Sequence, residues 1–220
     1  NSEAFGHRPP PELVANRQVV AYRPELGSIH WETLTSLLES LRDPGQAGAK
    51  ANNTSRRQLL YAEIGVNNGE CVARLLAGIP ELRVLGVDPY LDGWDEGGYD
   101  SAQRGLTRET AGRPHPQLQP AEARLRRYQA SGRYSLLRQK SARAAPFVCE
   151  RCLDLVFLDG EHRSLATDID VWSTKVRSGG ILAGHDYSPR EPAVWSAVHR
   201  KLPPGRTLFL APDMVWWWYM

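Results

Sequence analysis

Residues 59–69 read LLYAEIGVNNG, and a second apolar run, RVLGV at 83–87, ends at Asp88. In the first stretch the apolar run ends at Glu63, and a turn with two glycines follows before the apolar pattern VARLLAGI. This order predicts strand, glycine turn, helix and strand, the repeating unit of a parallel α/β sheet. Because glycine permits backbone dihedrals and close approaches that a Cβ prevents, the turn is predicted to lie against a ligand.

The spacing of these glycines favours one class of ligand. Dinucleotide-binding turns read G-x-G-x-x-G and hold a pyrophosphate at a helix N-terminus, whereas this turn is Gly65-Val66-Asn67-Asn68-Gly69. A carboxylate at Glu63 would repel a pyrophosphate but suits a ligand that carries an ammonium and a sulfonium. Asp88, about 20 residues past the turn, matches an acid that accepts hydrogen bonds from a ribose diol. We therefore predict S-adenosylmethionine binding, with a nicotinamide-dependent oxidoreductase as the less favoured alternative.

Two further apolar runs end in polar groups. They lie in LDLVFLDGEH (153–162) and GGILAGHDY (179–187). In an open α/β sheet, ligands bind beyond the carboxyl ends of the strands, so these groups and the glycine turn are predicted to share one crevice. The polar residues that follow the two runs are Asp159, Glu161, His162, His185 and Asp186.

With these motifs the chain resembles the class I S-adenosylmethionine-dependent methyltransferases. It resembles most the small-molecule group with D-G-x-H after the fourth strand and G-G-x-x-x-x-H-D-Y along the fifth. That group is related to sugar O-methyltransferases and cephalosporin-hydroxylase-like proteins. The resemblance implies an α/β fold with a doubly wound, mostly parallel seven-stranded sheet and a C-terminal antiparallel hairpin. Residues 56–220 are then the methyltransferase domain, and residues 1–55 form an N-terminal arm and helix.

The resemblance also implies a cofactor site. Asp88 would hold the ribose hydroxyls, Ser141 would contact the adenine, and Asp159 would lie beside the transferring methyl group. The family often has an acid before that serine, whereas this chain has Lys140. The residues implied to surround the methionine end of the cofactor are Glu63, Gly65, Asn67 and Gly69.

A metal ion, either Mg²⁺ or a transition metal, is left open as a second cofactor. In related metal-dependent O-methyltransferases, the residue at Asp159 binds Mg²⁺ together with an acid/amide pair after the fifth strand, which here reads His185-Asp186. Mg²⁺ prefers oxygen ligands, and an imidazole suits a transition metal better. Without a metal, His185 would be a core histidine and Asp186 a strand-end cap. The candidates for a general base are His162, then Glu161 and His185.

The function that these motifs favour is methyl transfer to a hydroxyl of a small molecule. The alternative is a non-catalytic S-adenosylmethionine-binding domain that serves as a partner or sensor, because the cofactor motifs match better than the catalytic ones. A sugar hydroxyl, a phenol and an amine all stay open as acceptors. A homodimer is also left open.

Composition limits the other classes of function. The net charge of +2 gives no general attraction to nucleic acid, although residues 121–140 are basic. No stretch approaches the ~20 apolar residues of a membrane span, and cytoplasm is the default compartment. Three cysteines imply no disulfide framework, and Cys149 and Cys152 are interpreted as partly buried small side chains rather than as a thioredoxin-type motif or a zinc site. The long segment 90–120 is predicted to be a substrate lid, since connections of this length are often functional.

Overall fold

Strands and helices alternate along the chain, as the sequence pattern predicts. The computed structural model describes residues 19–26, 29–42, 57–90 and 116–220. Within these residues the strands are β1 (Val19–Tyr22), β2 (Leu59–Ile64), β3 (Leu82–Val87), β4 (Tyr134–Leu137), β5 (Leu153–Leu158), β6 (Val176–Gly184), β7 (Thr207–Leu210) and β8 (Trp216–Tyr219). The α-helices are α1 (His30–Ser40), α2 (Glu70–Gly78), α3 (Leu118–Ala130), α4 (Ser141–Ala144), α5 (Leu165–Ser173) and α6 (Pro192–Lys201), and a 3-10 turn, Ala145–Phe147, follows α4.

All of these strands belong to one sheet, in the order β1-β7-β8-β6-β5-β2-β3-β4. β8 runs antiparallel to β6 and β7, and the other neighbouring strands pair in parallel. The doubly wound, mostly parallel sheet and its C-terminal hairpin are therefore confirmed. The strand order reverses between β2 and β5, and such a switch point is where open α/β sheets bind ligands.

The predicted number of seven strands is wrong, because the described part of the chain already contributes eight strands to the sheet. The additional strand is β1, which pairs in parallel with β7 from Val19 opposite Thr207 to Tyr22 opposite Leu210. Its four residues lie within residues 1–55, for which an N-terminal arm and a helix, but no strand, are predicted. The pairing joins residues far apart in sequence, so local composition does not indicate it.

Helices cover both faces of the sheet. One core contains Leu34 and Leu38 of α1 with the apolar sides of α2 and α3. The opposite core contains Trp172 of α5 and the apolar sides of α4 and α6. All six residues of β5 are buried, which explains why its sequence is an apolar run rather than an alternating pattern. The functional groups consequently come from the strand ends, where the backbone emerges from these two cores.

Three features bear on the remaining predictions. Cys149 and Cys152 form a disulfide with Cα atoms 5.8 Å apart, so their interpretation as separate thiols is wrong. A separation of three residues, on a turn before β5, brings the two sulfurs together.

Among the described helices, none is long and apolar enough to cross a bilayer. Most of the predicted lid (residues 91–115) and the proposed domain boundary at residues 55 and 56 lie outside the described residues.

Candidate active site

The glycine turn after β2 lies directly over the end of β5. Gly65 has φ +93°, and a Cβ built there would lie 2.2 Å from the carbonyl oxygen of Asp159. Gly69, at φ +74°, caps α2 and would place a Cβ 2.8 Å from Leu125 on α3. Both positions therefore favour glycine, and the predicted approach of the turn to a ligand stays a prediction. The close approach brings the turn against Asp159.

Asp88 ties this turn to the end of β3. One carboxylate oxygen accepts hydrogen bonds from the backbone N–H groups of Val66 and Asn67, each at 3.0 Å. The other oxygen accepts from the N–H of Tyr90 at 2.8 Å. Asn67 itself has φ +50°, a left-handed conformation that asparagine tolerates better than most residues. Asp88 thus fixes the path of the turn as well as presenting a carboxylate at the switch point.

Glu63 lies inside the protein rather than on an open surface. Its side chain is 2% exposed and accepts a hydrogen bond from the Tyr61 hydroxyl at 2.6 Å. The thiol of Cys71 is its second hydrogen-bond partner. Both donors favour the carboxylate, but burial outweighs them and raises the pKa of Glu63 to about 8. Glu63 therefore carries a proton at neutral pH in the absence of a cationic partner.

Ser141 lies after β4 as the first residue of α4, and its hydroxyl faces the interior. It accepts a hydrogen bond from Trp172 Nε1 at 2.8 Å and also bonds to Asp168. These contacts connect α4 to α5. The predicted adenine contact of Ser141 stays a prediction, and the side chain already has a structural role.

Asp159, His185 and Asp186 converge beyond β5 and β6, as predicted. Each offers one ligand atom, and these three atoms lie within 4.8 Å of one another. Nδ1 of His185 is 3.6 Å from Asp159 Oδ1 and 3.2 Å from Asp186 Oδ1. Asp186 has φ +57°, which marks a backbone held in a sparsely populated region by its surroundings. We call these three residues the acidic cluster.

The tautomer of His185 follows from its second nitrogen. Nε2 lies 2.9 Å from the backbone carbonyl oxygen of Asp213, and a carbonyl can only accept, so Nε2 carries a hydrogen. In neutral His185 the lone pair of Nδ1 would then face two carboxylates. A proton or a metal ion at Nδ1 removes that repulsion. Burial opposes the charged imidazole, but the hydrogen bond to Asp186 and the charges of both carboxylates raise the pKa of His185 above its ordinary range.

The other two titrating groups of the acidic cluster shift in opposite directions. Burial raises the pKa of Asp159, although its side chain is 30% exposed. Hydrogen bonds from His162 and His185 hold the pKa of Asp186 well below its usual range. Asp186 is consequently the constant negative charge of the cluster, and Asp159 is the group that can gain a proton.

His162 joins this cluster through Asp186. Its Nε2 lies 3.0 Å from Asp186 Oδ2, and its Nδ1 lies 3.2 Å from Glu191 Oε2. The hydrogen bond to Asp186 is the largest cause of the raised pKa of His162. With a carboxylate at each ring nitrogen, the doubly protonated ring is favoured. Glu161, the second predicted base, lines a small cavity beside the cluster together with His162.

The sequence pattern did not single out His30, the first residue of α1. Its ring packs edge-on against the His185 ring, with centroids 5.1 Å apart, and is stacked over Phe157 at 6.2 Å. Burial and the nearby His185 lower the pKa of His30. A histidine at the start of an amphipathic helix carries no sequence signal for a site more than 120 residues away in the chain.

The fold, with its binding groups at the switch point, is that of the Rossmann-like methyltransferases. A family model described as a methyltransferase domain matches residues 62–187, more than half of the chain. The chain belongs to this family, and it is a class I S-adenosylmethionine-dependent methyltransferase. The matched segment runs from β2 to just past Asp186, so it contains the glycine turn and the whole acidic cluster, but it does not include α1.

Solved structures of low sequence identity share the fold. A Staphylococcus aureus protein assigned as a caffeoyl-CoA O-methyltransferase is 10% identical, with a TM-score of 0.58 over 95% of this chain and 89% of that one. A Corynebacterium glutamicum protein is 15% identical, with a TM-score of 0.55 over 89% and 82%. A Geobacter sulfurreducens methyltransferase is 13% identical, with a TM-score of 0.55 over 88% and 80%. No curated protein matches the sequence. None of these comparisons supports the two alternatives, a nicotinamide-dependent oxidoreductase and a non-catalytic S-adenosylmethionine-binding domain.

Proposed function

We propose that this methyltransferase transfers the methyl group of S-adenosylmethionine to a hydroxyl of a small molecule at the acidic cluster. The observation that carries the proposal is the convergence of Asp159, His185 and Asp186, with ligand atoms within 4.8 Å of one another. The glycine turn at Gly65 touches the backbone of Asp159. The proposed donor site and the proposed acceptor site are therefore neighbours, as methyl transfer requires.

The acidic cluster also has the chemistry of a divalent metal site. It offers two carboxylates and the Nδ1 of His185, whose Nε2–H is held by the carbonyl of Asp213 at 2.9 Å. Such an outer hydrogen bond is the usual way in which a protein fixes a ligating imidazole. The mixed oxygen and nitrogen ligands favour a transition metal such as Mn²⁺ over Mg²⁺. A bound ion would polarise the acceptor hydroxyl and lower its pKa.

The residues around the cluster have distinct proposed roles. His162 donates to Asp186 and is held by Glu191, so it orients Asp186 rather than accepting the acceptor's proton. Glu63 is proposed to hold the methionine ammonium, and Asp88 is proposed to hold the ribose.

In the proposed reaction, the acceptor oxygen forms a bond to the methyl carbon while the bond between that carbon and the sulfur breaks. S-adenosylhomocysteine, a methyl ether and a proton are the products.

The name of the Staphylococcus aureus neighbour supports oxygen as the accepting atom. The acidic cluster supports it further, because carboxylates and a metal ion activate a hydroxyl and have no comparable task with a neutral amine. Which hydroxyl compound is the acceptor has to be found by testing compounds.

The experiment measures methyl transfer from radiolabelled S-adenosylmethionine to catechols, phenols, methyl glycosides and amines. Each reaction is run with chelator and again after adding back Mg²⁺, Mn²⁺, Co²⁺ or Zn²⁺. We expect transfer to a hydroxyl compound that vanishes in chelator and returns best with a transition metal. Asp159→Asn and Asp186→Asn should lower the rate by about 100-fold or more. Asp170→Asn, which removes a 56% exposed carboxylate, is the matched control.

Two outcomes would count against parts of the proposal. Activity that survives chelation but falls in the His162→Gln variant would leave methyl transfer intact and remove the metal. Full activity in chelator together with full activity in both aspartate variants would remove the acidic cluster from the mechanism. The homodimer stays a prediction that light scattering after gel filtration can check.

A further inference from the structure

α1 brings an imidazole to the acidic cluster from outside the family-matched segment. The His30 ring lies edge-on to His185 at 5.1 Å between centroids and packs at 5.1 Å against Trp31. It also stacks over the fully buried Phe157 of β5 with an interplanar angle of 15°. His30 therefore has a defined ring orientation above the central strand of the site.

A buried hydrogen bond fixes α1 in this place. The hydroxyl of Thr33, one helical turn after His30, donates to Asp213 Oδ2 at 2.7 Å, and both residues are buried. The other carboxylate oxygen of Asp213 accepts from the N–H of Val215 at 3.2 Å, and its carbonyl holds His185. The same residue thus anchors α1 and orients His185, which couples the positions of His30 and the acidic cluster.

His30 is within electrostatic reach of groups from both halves of the proposed site. The charged groups that act on it include His185, Asp213 and Asp186 at or beside the acidic cluster, and Glu70, the first residue of α2 after the glycine turn. Its side chain is only partly buried. Neither ring nitrogen forms a hydrogen bond with another described residue, and the ring lies 5.1 Å from that of His185 in the acidic cluster, so its nitrogens are available to a molecule bound there.

We propose that His30 contacts the acceptor, hydrogen-bonding a second polar group of the molecule whose hydroxyl is methylated at the acidic cluster. The proposal rests on the proposed function and deepens it. It assigns to α1 a part of the acceptor site, and it makes His30 a specificity-determining residue. The preferred acceptors then carry a polar group a few ångströms from the reacting hydroxyl, as vicinal hydroxyl compounds do.

The test compares His30→Phe, His30→Gln and the control Trp31→Phe with the wild type. Phenylalanine keeps the ring packing and removes both nitrogens, while glutamine keeps hydrogen-bonding ability. The acceptors are matched pairs, catechol with phenol and methyl glycosides with their deoxy counterparts. For the best diol, His30→Phe should lower kcat/KM by at least about tenfold, mainly through the acceptor KM. His30→Gln should recover part of that loss.

Other measurements distinguish a direct contact between His30 and the acceptor from an effect of the substitution on the structure of α1. In His30→Phe the preference for diol over mono-hydroxy acceptor should shrink about tenfold, while the Kd for S-adenosylhomocysteine stays within about twofold of the wild type. Trp31→Phe should change neither. A His30→Phe enzyme within about twofold of the wild type in kcat/KM and in preference would overturn the proposal. Equal losses in His30→Phe and Trp31→Phe would also overturn it, because they would indicate a disturbed helix.

A second measurement applies if the wild type methylates none of these compounds. Protein with ¹⁵N-labelled histidine, bound to S-adenosylhomocysteine, is titrated with catechol and with methyl glucoside. The His30 ring signals, assigned with His30→Phe, should shift with at least one of the two probes. No shift with either probe overturns the role of His30, whereas a wild type that fails to bind S-adenosylhomocysteine overturns the proposed function as well.

Discussion

Replacing Glu63 by glutamine is predicted to stabilise the ligand-free protein and to weaken its binding of the cofactor. The carboxyl is 2% exposed, and its hydrogen-bond donors are the Tyr61 hydroxyl and the Cys71 thiol. Burial disfavours the charged form and raises the pKa of Glu63 to about 8 from its ordinary 4.5. Glutamine has nearly the same shape and still accepts from Tyr61, but it has no charge to desolvate.

The sign and size of the effect follow from proton linkage. Between pH 4.5 and pH 8 the folded protein keeps the Glu63 proton, whereas the unfolded chain releases it. Ionisation therefore stabilises the unfolded state, and folding stability falls as pH rises through this window. At 1.36 kcal/mol per pH unit, the penalty is about 3 kcal/mol at pH 7 and about 1.4 kcal/mol at pH 5.5. Glutamine removes it at both values.

The assay is urea unfolding without ligand at both pH values. The free energy of unfolding of Glu63→Gln should exceed that of the wild type by up to about 3 kcal/mol at pH 7 and by about half as much at pH 5.5. Glu39→Gln, which removes a 54% exposed carboxylate, should change stability by less than about 0.5 kcal/mol. Glu63→Gln should also bind S-adenosylhomocysteine at least about tenfold more weakly, because a charge-assisted hydrogen bond is lost. A Glu63→Gln protein less stable than the wild type at pH 7, or a gain independent of pH, would refute this reasoning.

Two further substitutions test the glycine turn. Gly65→Ala should prevent cofactor binding and lower the thermal midpoint strongly, because its Cβ would lie 2.2 Å from the carbonyl of Asp159, whereas Gly78→Ala, with nothing within 4 Å, should leave the midpoint unchanged or slightly raised. Equal midpoints for the two variants would contradict the geometry. Asp88→Ala should weaken S-adenosylhomocysteine binding by a few kcal/mol in calorimetry, at roughly 1.5–3 kcal/mol for each charge-assisted bond. An unchanged affinity would show that Asp88 holds only the turn.

The elements that the sequence predicts best are those with a local signal. β2 and β3 are apolar runs that end at acids, and the structure places them at residues 59–64 and 82–87 as expected. The convergence of Asp159 with His185 and Asp186 follows from the same rule, since neighbouring parallel strands end at one edge of a sheet. These features depend only on sequence patterns within about ten residues and on the rule that parallel strands end at the same edge of a sheet.

The features that the sequence does not predict depend on contacts between distant segments. β1 is four residues long and pairs with a strand near the other end of the chain. His30 reaches the acidic cluster because Thr33 bonds to Asp213, which is 180 positions away. The burial of Glu63 was also not predicted, although Glu63 lies on the same face of β2 as the apolar residues Leu59 and Tyr61, which are both buried.

The central claim is that the glycine turn and the strand ends at the switch point bind S-adenosylmethionine rather than a dinucleotide. Isothermal titration calorimetry of the wild type with S-adenosylmethionine, S-adenosylhomocysteine and NAD tests it most directly. We predict that one molecule of either adenosyl ligand binds per chain and that NAD gives no heat beyond dilution. Binding of NAD with no response to S-adenosylmethionine or S-adenosylhomocysteine would contradict the account.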